Sequence, residues 1–277
     1  MTSTLTAIDW LLAAAGFLLL AVHFSRVARG SATRSAALRL HHIREDSIFV
    51  VTLAYLLTAL ALDMALRRAL PDPTEPRFRM VVGSGAQLVG AVACVLVVSR
   101  RFSGGFSAFW FGPAPPRGFQ KLTVVLAVTV IGMGICPLLA EGMVRLVRVI
   151  APTASIETHP TLHALGGEAQ PNWIRTGLWL GAALIAPTAE EFFFRGMLQN
   201  FLASSLSRPF PAILLSSLAF GAVHLSQAHT VPALVVFGIL LGYAYQRTGA
   251  IVVPVTIHAL FNLKTLIWYS LGAGPGP

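Results

Sequence analysis

Charged residues are scarce in this chain. Only 11% of its 277 residues are Asp, Glu, Lys or Arg, and 55% are hydrophobic, whereas roughly a quarter of the residues in soluble domains are charged. This shortage excludes an ordinary soluble domain. Cysteine is scarce too. Cys94 and Cys136 both fall in apolar segments, which favours two buried free thiols over a disulfide.

Long apolar segments take the place of charge. About eight of them approach the ~20 residues that a helix needs to cross a bilayer. They lie at about 8–27, 47–66, 80–99, 122–140, 174–202, 210–228, 231–247 and 250–270. A backbone in hydrocarbon must satisfy its hydrogen bonds within each segment, which favours helices. The composition therefore predicts a single all-α, polytopic membrane domain over residues 1–277, with about eight transmembrane helices and no detectable internal repeat.

The basic residues indicate what the chain contacts. The net charge is +9, but the arginines are spread over membrane-flanking loops, which predicts contact with anionic lipid and not with nucleic acid. Residues 1–9 lack Lys and Arg, whereas five arginines lie within residues 26–44, so the positive-inside rule places the N-terminus outside. The arginines of residues 67–79 conflict with this orientation. The Arg-rich composition and short loops favour a prokaryotic cell membrane.

Three connecting segments stand out by composition. Residues 31–45 form either a basic helix lying in the membrane interface or a solvated loop, a choice that the sequence leaves open. Residues 102–119 are rich in Gly, Pro and aromatic residues and are predicted to be an interfacial loop. Residues 151–173 are the longest polar stretch and are predicted to be a loop.

One apolar span, A186-P-T-A-E-E-F-F-F-R-G-M-L-Q-N-F-L202, contains two carboxylates and an arginine. Adjacent helical residues point about 100° apart, whereas residues four apart are neighbours. We therefore predict an ion pair between Glu191 and Arg195, and a Glu190 turned toward the bundle interior. The alternative is that both glutamates belong to a buried ion-pair network that joins helices.

Polar side chains recur in two later spans. F220-G-A-V-H224 places an imidazole in the sixth predicted span, and in H258-A-L-F-N262 a histidine and an amide share one face of the eighth. A lone membrane histidine is more often a helix–helix hydrogen bonder than a ligand. Three polar clusters, each predicted near the middle of its helix, favour a common polar site instead.

The three motifs resemble those of the CPBP intramembrane proteases. EExxxR at 190–195, FxxxH at 220–224 and HxxxN at 258–262 occur here in the order and approximate separation of that family. The family comprises CAAX prenyl endopeptidases of the Ras-converting type and bacterial relatives linked to bacteriocin processing or immunity. The resemblance covers about residues 174–270. Residues 1–173 contain no motif of the family, although the span count suits its eight-helix fold.

The resemblance implies an intramembrane endopeptidase. Peptide hydrolysis without a nucleophilic side chain needs an activated water, a proton donor for the leaving amine and donors to the oxyanion. By likeness to the family, Glu190 is the general base and His224 helps to hold the water. His258 and Asn262 would face the carbonyl oxygen. The supporting residues are Glu191, Arg195 and Phe220.

A catalytic zinc is the alternative way to activate the same water. His224 and His258, with Glu190 or Glu191, match the His₂Glu ligand set of catalytic zinc sites. The chain lacks HExxH, which would place two histidines and the base on one helix. The sequence leaves a zinc-dependent mechanism and a metal-independent glutamate mechanism open.

Two other classes of function compete with the protease. A proton-coupled transporter also places Glu, His and Arg in membrane helices, but no repeated pair of broken helices is detectable. A non-catalytic scaffold or bacteriocin-immunity protein would keep the fold without the chemistry. Because all four catalytic positions are present, the sequence favours the enzyme, and its expected substrate is a membrane-associated or prenylated peptide with an apolar or lipidated end.

Overall fold

A computed structural model shows an all-α chain. It describes residues 6–28, 46–69, 76–101, 105–112, 118–153 and 172–272, together with residues 156, 161, 162 and 165. These residues form nine helices and no strand, which confirms the predicted fold class. The helices are α1 (Ala7–Ala28), α2 (Asp46–Ala69), α3 (Pro76–Arg101), α4 (Gly105–Phe111), α5 (Gly118–Ile150), α6 (residues 172–206), α7 (Pro209–Ala222), α8 (Val231–Thr248) and α9 (Val252–Ser270).

The helices have the length and composition of membrane spans. Five stretches of the described chain are long and apolar enough to cross a bilayer: Ala7–Ser25, Gly83–Arg100, Gly118–Ile150, Leu225–Thr248 and Val252–Ser270. Two shorter apolar helices lie in α2 and α7. The remaining predicted span, 174–202, lies within α6. Each of the eight predicted spans therefore overlaps a helix, although α7 ends before the end of the span predicted at 210–228, and the protein is an integral membrane protein.

The outer surface of the bundle is apolar. Large hydrophobic side chains on several helices are exposed, among them Leu11, Phe17, Phe49, Leu88 and Leu126. In water, so much contiguous apolar surface would drive association. In a bilayer the same side chains contact lipid chains at no cost, which agrees with the scarcity of charge.

Helix α1 packs against α5 at a close crossing of small residues. A Cβ atom added at Gly16 would lie 3.2 Å from the Cα of Ile131, and one added at Gly134 would lie 2.7 Å from the Cα of Ala13. Membrane helices gain little from apolar contact alone, so close backbone approach at glycine is a main source of helix association.

Helix α6 departs from regular α-helical geometry. It is π-helical over Gly181–Ile185 and again over Phe192–Gln199. The α-helical turn Ala186–Glu191 lies between these two segments and ends with both glutamates. π-Helical turns are rare and are frequent at functional sites. The periodicity of the sequence predicts a continuous α-helix here and gives no indication of either π segment.

The ends of α6 and α8 follow from local backbone chemistry. Ser207 adopts a left-handed conformation with φ 51°, and Pro209 then begins α7. After α8, Gly249 has φ 63° and its N–H donates to the Tyr245 carbonyl at 2.7 Å. A left-handed residue after the last turn and proline in a first turn are common helix boundaries.

Two aromatic contacts set the rotation of α6 about its axis. Phe192 packs edge-on against Phe109 of α4, with ring centroids 5.5 Å apart, in a core cluster shared with α2, α3, α8 and α9. Phe194 packs edge-on against Phe220 of α7 at 5.2 Å, in a second cluster shared with α5, α8 and α9. Phe192 and Phe194, which are two residues apart, therefore point into separate parts of the core.

Both cysteines are free and buried, as predicted. The Cys94 thiol donates to the Phe192 carbonyl at 3.6 Å, and Cys136 lies in the cluster around Phe194. Each behaves as a small apolar side chain, which is the usual state of a buried free cysteine.

The predicted interfacial loop 102–119 is wrong in its central part. Gly105–Phe111 is the helix α4, and its Phe109 is fully buried. Packing of this aromatic ring against α6, and not local periodicity, explains the helix. Residues 31–45, predicted as either an interfacial helix or a solvated loop, lie outside the described residues, and so does most of the predicted loop 151–173. No observation bears on the division of the chain at residues 173 and 174, which stays a prediction.

The α1–α5 crossing gives a matched test on one helix. Gly134→Ala places a methyl group against the α1 backbone, whereas Gly142→Ala places one where nothing lies within 4 Å. Both changes gain up to ~1 kcal/mol of helix propensity. We expect Gly134→Ala to lower the free energy of unfolding by about 1–3 kcal/mol and Gly142→Ala not to. Thermal unfolding in detergent measures both, and equal stability of the two variants would contradict the close crossing.

Candidate active site

A fully buried carboxylate, Glu191, joins two helices at the centre of the bundle. Its Oε2 accepts a hydrogen bond from Arg195 Nε at 3.0 Å on the same helix. Its Oε1 accepts one from His258 Nδ1 at 2.9 Å on α9. The predicted Glu191–Arg195 pair is therefore present, and the same carboxylate fixes the position of His258.

The adjacent Glu190 has different surroundings. Its side chain is 22% exposed, whereas that of Glu191 is 0% exposed. Its Oε2 lies 3.9 Å from His258 Nε2, which is longer than a hydrogen bond. Glu190 also interacts electrostatically with His224. The two glutamates thus differ: Glu191 is enclosed by partners, whereas Glu190 is partly exposed and lies on another face of the helix.

The imidazole of His258 is held between two aromatic rings. It lies edge-on to Phe220 with centroids 5.7 Å apart and edge-on to Phe237 at 5.3 Å. A carboxylate only accepts hydrogen bonds, so the contact with Glu191 requires the hydrogen on Nδ1. The other ring nitrogen, Nε2, is the one nearer to Glu190.

The structure places His224 beyond the end of α7. The prediction of a span over 210–228, with His224 near its middle, is wrong in this respect because α7 ends at Ala222. The His224 N–H donates to the Gly221 carbonyl at 3.0 Å, and its Nδ1 contacts the Phe220 carbonyl at 2.8 Å. The imidazole thus satisfies a carbonyl left without a partner at the helix end. Since a carbonyl only accepts, the neutral ring carries its hydrogen on Nδ1 and has Nε2 as an acceptor.

Asn262 lies one helical turn beyond His258 and joins α9 to α6 at a second point. Its Nδ2 donates to the Ala182 carbonyl at 2.9 Å, within the first π-helical segment. The face of α9 that carries the HxxxN motif therefore contacts α6 through both of its polar residues. The amide has a second N–H, and its predicted role toward a carbonyl oxygen stays a prediction.

Arg195 is fully buried among groups that offset its charge. Besides the bond to Glu191, its Nη1 lies 3.5 Å from Ser216 Oγ. Its guanidinium carbon lies 5.4 Å from the centroid of Phe220, a cation–π contact. Its Nη2 is buried with no hydrogen-bond partner among the residues that the structure describes. Phe220 therefore contacts the arginine as well as the histidine of the site.

The proposed zinc ligands do not form a ligand set in the described part of the chain. No group of three or more His, Cys, Asp or Glu side chains is arranged there to hold a metal ion. His258 Nδ1 is bonded to Glu191, and His224 Nδ1 contacts a backbone carbonyl. A metal-bound histidine usually donates from its other ring nitrogen in this same way, so these contacts leave both Nε2 atoms available, and the zinc-dependent mechanism stays a prediction.

Several residues around the site are not predicted from the sequence. Phe237 contacts His258, Ser216 contacts Arg195, and Tyr55 of α2 interacts electrostatically with Glu190. The pair of serines at 216 and 217, inside an otherwise apolar span, is a signal that could have indicated a polar partner. Phe237 and Tyr55 carry no such signal, because aromatic residues are common in any membrane span.

Comparison with known proteins agrees with this site. Residues 171–264 match the family model described as Rce1-like, type II CAAX prenyl endopeptidase Rce1-like. The match covers about a third of the chain and includes all three motifs. No curated protein and no solved structure matches the chain.

The family match supports the resemblance to the CPBP proteases that the motifs predict. The C-terminal helices are therefore similar in sequence to CAAX-type intramembrane proteases, which supports a hydrolase of the protease kind. The match names no catalytic residue, so the roles of the individual side chains remain predictions.

The buried ion pair gives a second matched test. Removing one partner of a buried pair leaves an uncompensated charge and costs ~3–5 kcal/mol. We therefore expect Arg195→Met, which removes the cation that neutralises Glu191 and leaves only the hydrogen bond from His258, to lower stability by about that amount in detergent unfolding. Arg145→Met is the control, because Arg145 forms the same i,i+4 contact with Glu141 but is 72% exposed. If both variants unfold at the same temperature, the Glu191–Arg195 pair has no structural role.

Proposed function

We propose that the protein is an intramembrane endopeptidase that hydrolyses a peptide bond with water activated by Glu190. The observation that carries the proposal is the difference between the adjacent glutamates. Arg195 and His258 occupy both oxygens of Glu191, whereas the accessible Glu190 carboxylate is close to His258 without bonding to it. A general base must reach its proton and remain free of permanent partners.

In this mechanism Glu190 takes a proton from the attacking water and passes it to the leaving amine. His224 assists by accepting a hydrogen bond from the same water at Nε2, because its Nδ1 is directed to the Phe220 carbonyl. Holding the water between two acceptors orients its oxygen toward the peptide carbonyl.

His258 and Asn262 stabilise the oxyanion. The Nδ1 hydrogen of His258 is bonded to Glu191, so His258 donates from Nε2 to the oxyanion when its ring carries both hydrogens. Asn262 donates through the amide hydrogen that does not bond to Ala182. Two donors directed at a developing negative charge in an apolar site supply a large share of the catalysis.

The proposed substrate is a membrane-associated or prenylated peptide. A groove of about 420 Å³ lies between α4, α6 and α9, and its lining is mainly apolar, with Trp110, Leu184 and Leu260 among its residues. The groove is formed by the helices that carry Glu190 and His258. An apolar or lipidated end of a peptide in the bilayer matches this lining.

Glu190→Gln tests the proposed base directly. The amide keeps the shape of the side chain but cannot take a proton, and general base catalysis contributes typically ~10²–10⁴-fold. We expect release of the tripeptide from a farnesylated CAAX reporter to fall by about that factor. The assay uses purified protein in lipid, with Glu141→Gln as the control because it makes the same change at a glutamate of α5, which pairs with Arg145 and is not part of the proposed site.

The unfolding temperature of each variant separates chemistry from folding. Loss of cleavage with unchanged stability supports the proposed role of Glu190. Loss of cleavage together with loss of fold would assign this residue to structure. If the folded wild type cleaves neither the farnesylated peptide nor an unprenylated membrane peptide, a scaffold role is the better reading.

A chelator tests the metal-independent form of the mechanism. Because Glu190 and His224 hold and activate the water without a metal in the proposed mechanism, we expect dialysis against a zinc chelator to leave the cleavage rate unchanged. The rate is measured before dialysis, after dialysis and after zinc is returned. A loss that zinc restores would show that the reaction requires the metal.

A further inference from the structure

The first turn of α1 carries a buried carboxylate that lies outside the proposed active site. The side chain of Asp9 is 4% exposed. Its Oδ2 accepts hydrogen bonds from the Thr6 N–H at 2.9 Å and the Thr6 hydroxyl at 2.6 Å, and the Asp9 N–H donates to Thr6 Oγ1 at 3.2 Å. This is a reciprocal capping arrangement. The beginning of α1 therefore fixes the orientation of the carboxylate.

Helix α9 supplies the remaining partners of Asp9. The Lys264 ammonium forms an ion pair with Asp9 Oδ1, and the Trp268 Nε1–H donates to Asp9 Oδ2 at 3.1 Å. The ammonium also lies 5.0 Å from the centroid of Trp268. Charges within a membrane span are costly unless they are paired. Separation of α1 from α9 at this point would leave two charges without partners, so the pair holds the helices together.

The two helices that carry Asp9 and Lys264 both pack against α5. Helix α1 packs extensively against α5, where Gly16 and Gly134 allow close approach. Helix α9 also packs against α5, and α9 reaches α6 through His258 and Asn262. The polar residues of α9 therefore connect it to α6 on one side and to α1 on the other.

The location of Lys264 on α9 excludes a direct role in catalysis. It follows His258 by six residues, which is about 9 Å along a helix axis, and it follows Asn262 by two, which places it about 200° around the helix. Its ammonium is directed to Asp9 and Trp268. Any effect of Lys264 on the site must therefore act through the position of α9 as a whole.

The proposed chemistry is sensitive to that position. His258 Nδ1 lies 2.9 Å from Glu191 Oε1, and a shift of α9 by about 1 Å away from α6 along this bond would lengthen the contact beyond hydrogen-bond distance. A misplacement of ~1 Å in an active site can cost ~10²-fold in rate. A contact that fixes the position of α9 relative to α6 therefore matters for the rate even at a distance from the substrate.

We propose that the Asp9–Lys264 pair is a positioning contact, by which α1 holds α9 where His258 meets Glu191. The inference rests on the proposed function and adds to it a role for the N-terminal helix, which carries no family motif. Asp9 and Lys264 are positioning residues, and they touch neither the substrate nor the reacting atoms.

The test is a double-mutant cycle of Asp9→Asn and Lys264→Met. The double variant removes both charges at once, so it leaves no unpaired charge in the membrane, and an asparagine at position 9 still accepts from Thr6. We expect kcat for the reporter peptide to fall about tenfold with KM nearly unchanged. The kcat of the double variant should fall no further than that of either single variant, because both substitutions break the same contact. Lys264→Arg, which keeps the pair, should retain the wild-type kcat.

Asp63→Asn is the matched control, because Asp63 forms an ion pair with Arg67 at the exposed end of α2. It should leave kcat and stability unchanged. The proposal is overturned if the cycle variants keep the wild-type kcat, if their effects add, or if they raise KM instead of lowering kcat. A loss of stability with normal kcat in the folded fraction would also overturn it, because it would assign the pair to folding alone.

A distance measurement separates this inference from the proposed function. Spin labels at Leu180→Cys and Leu271→Cys, both exposed positions, report the placement of α9 relative to α6 after Cys94 and Cys136 are replaced by alanine. In the double variant we expect the distance distribution to shift or broaden by about 1–2 Å. This readout applies even if the wild type cleaves no peptide, and an unchanged distribution would overturn the positioning role.

Discussion

The rest of the site depends on the Glu191 carboxylate, which accepts a hydrogen bond at each of its two oxygens. A charge inside a membrane bundle is tolerated only with a partner, and Arg195 provides that partner one turn away on the same helix. The carboxylate has a second oxygen, and His258 of α9 donates to it. Glu191 therefore neutralises Arg195 and fixes the distance between α6 and α9. Of the two glutamates, only Glu190 keeps an exposed carboxylate.

The apolar residues around this group decide where it points. Phe192 and Phe194 enter separate core clusters, so α6 cannot rotate without separating both rings from their partners. The π-helical segments on either side of the glutamates change the direction of backbone carbonyls, and Asn262 bonds to one of these carbonyls, that of Ala182. Phe220 contacts Arg195 and His258 together. The rings thus exclude lipid from the polar groups and hold them in place.

The N-terminal helices contribute to the site although they carry no family motif. Tyr55 of α2 interacts electrostatically with Glu190, and Phe109 of α4 packs against α6. Asp9 of α1 pairs with Lys264 of the helix that carries His258. In hydrocarbon, helices gain little from apolar burial, so such polar contacts and small-residue crossings specify which helices are neighbours. The region that matches the family model, residues 171–264, thereby lies within a larger bundle.

The sequence by itself determined the helical class, the apolar membrane character and the pairing of Glu191 with Arg195, because hydrophobic length and i,i+4 spacing are local properties. The resemblance of the motifs to a known family also predicted that Glu190 and His258 share one site. Only the tertiary structure decided that His224 lies past the end of α7 and that α4 is a helix, because both depend on packing partners distant in the chain. The π-helical segments and the Asp9–Lys264 pair were likewise decided only by the tertiary structure. Their causes are contacts between helices, which no local pattern of residues encodes.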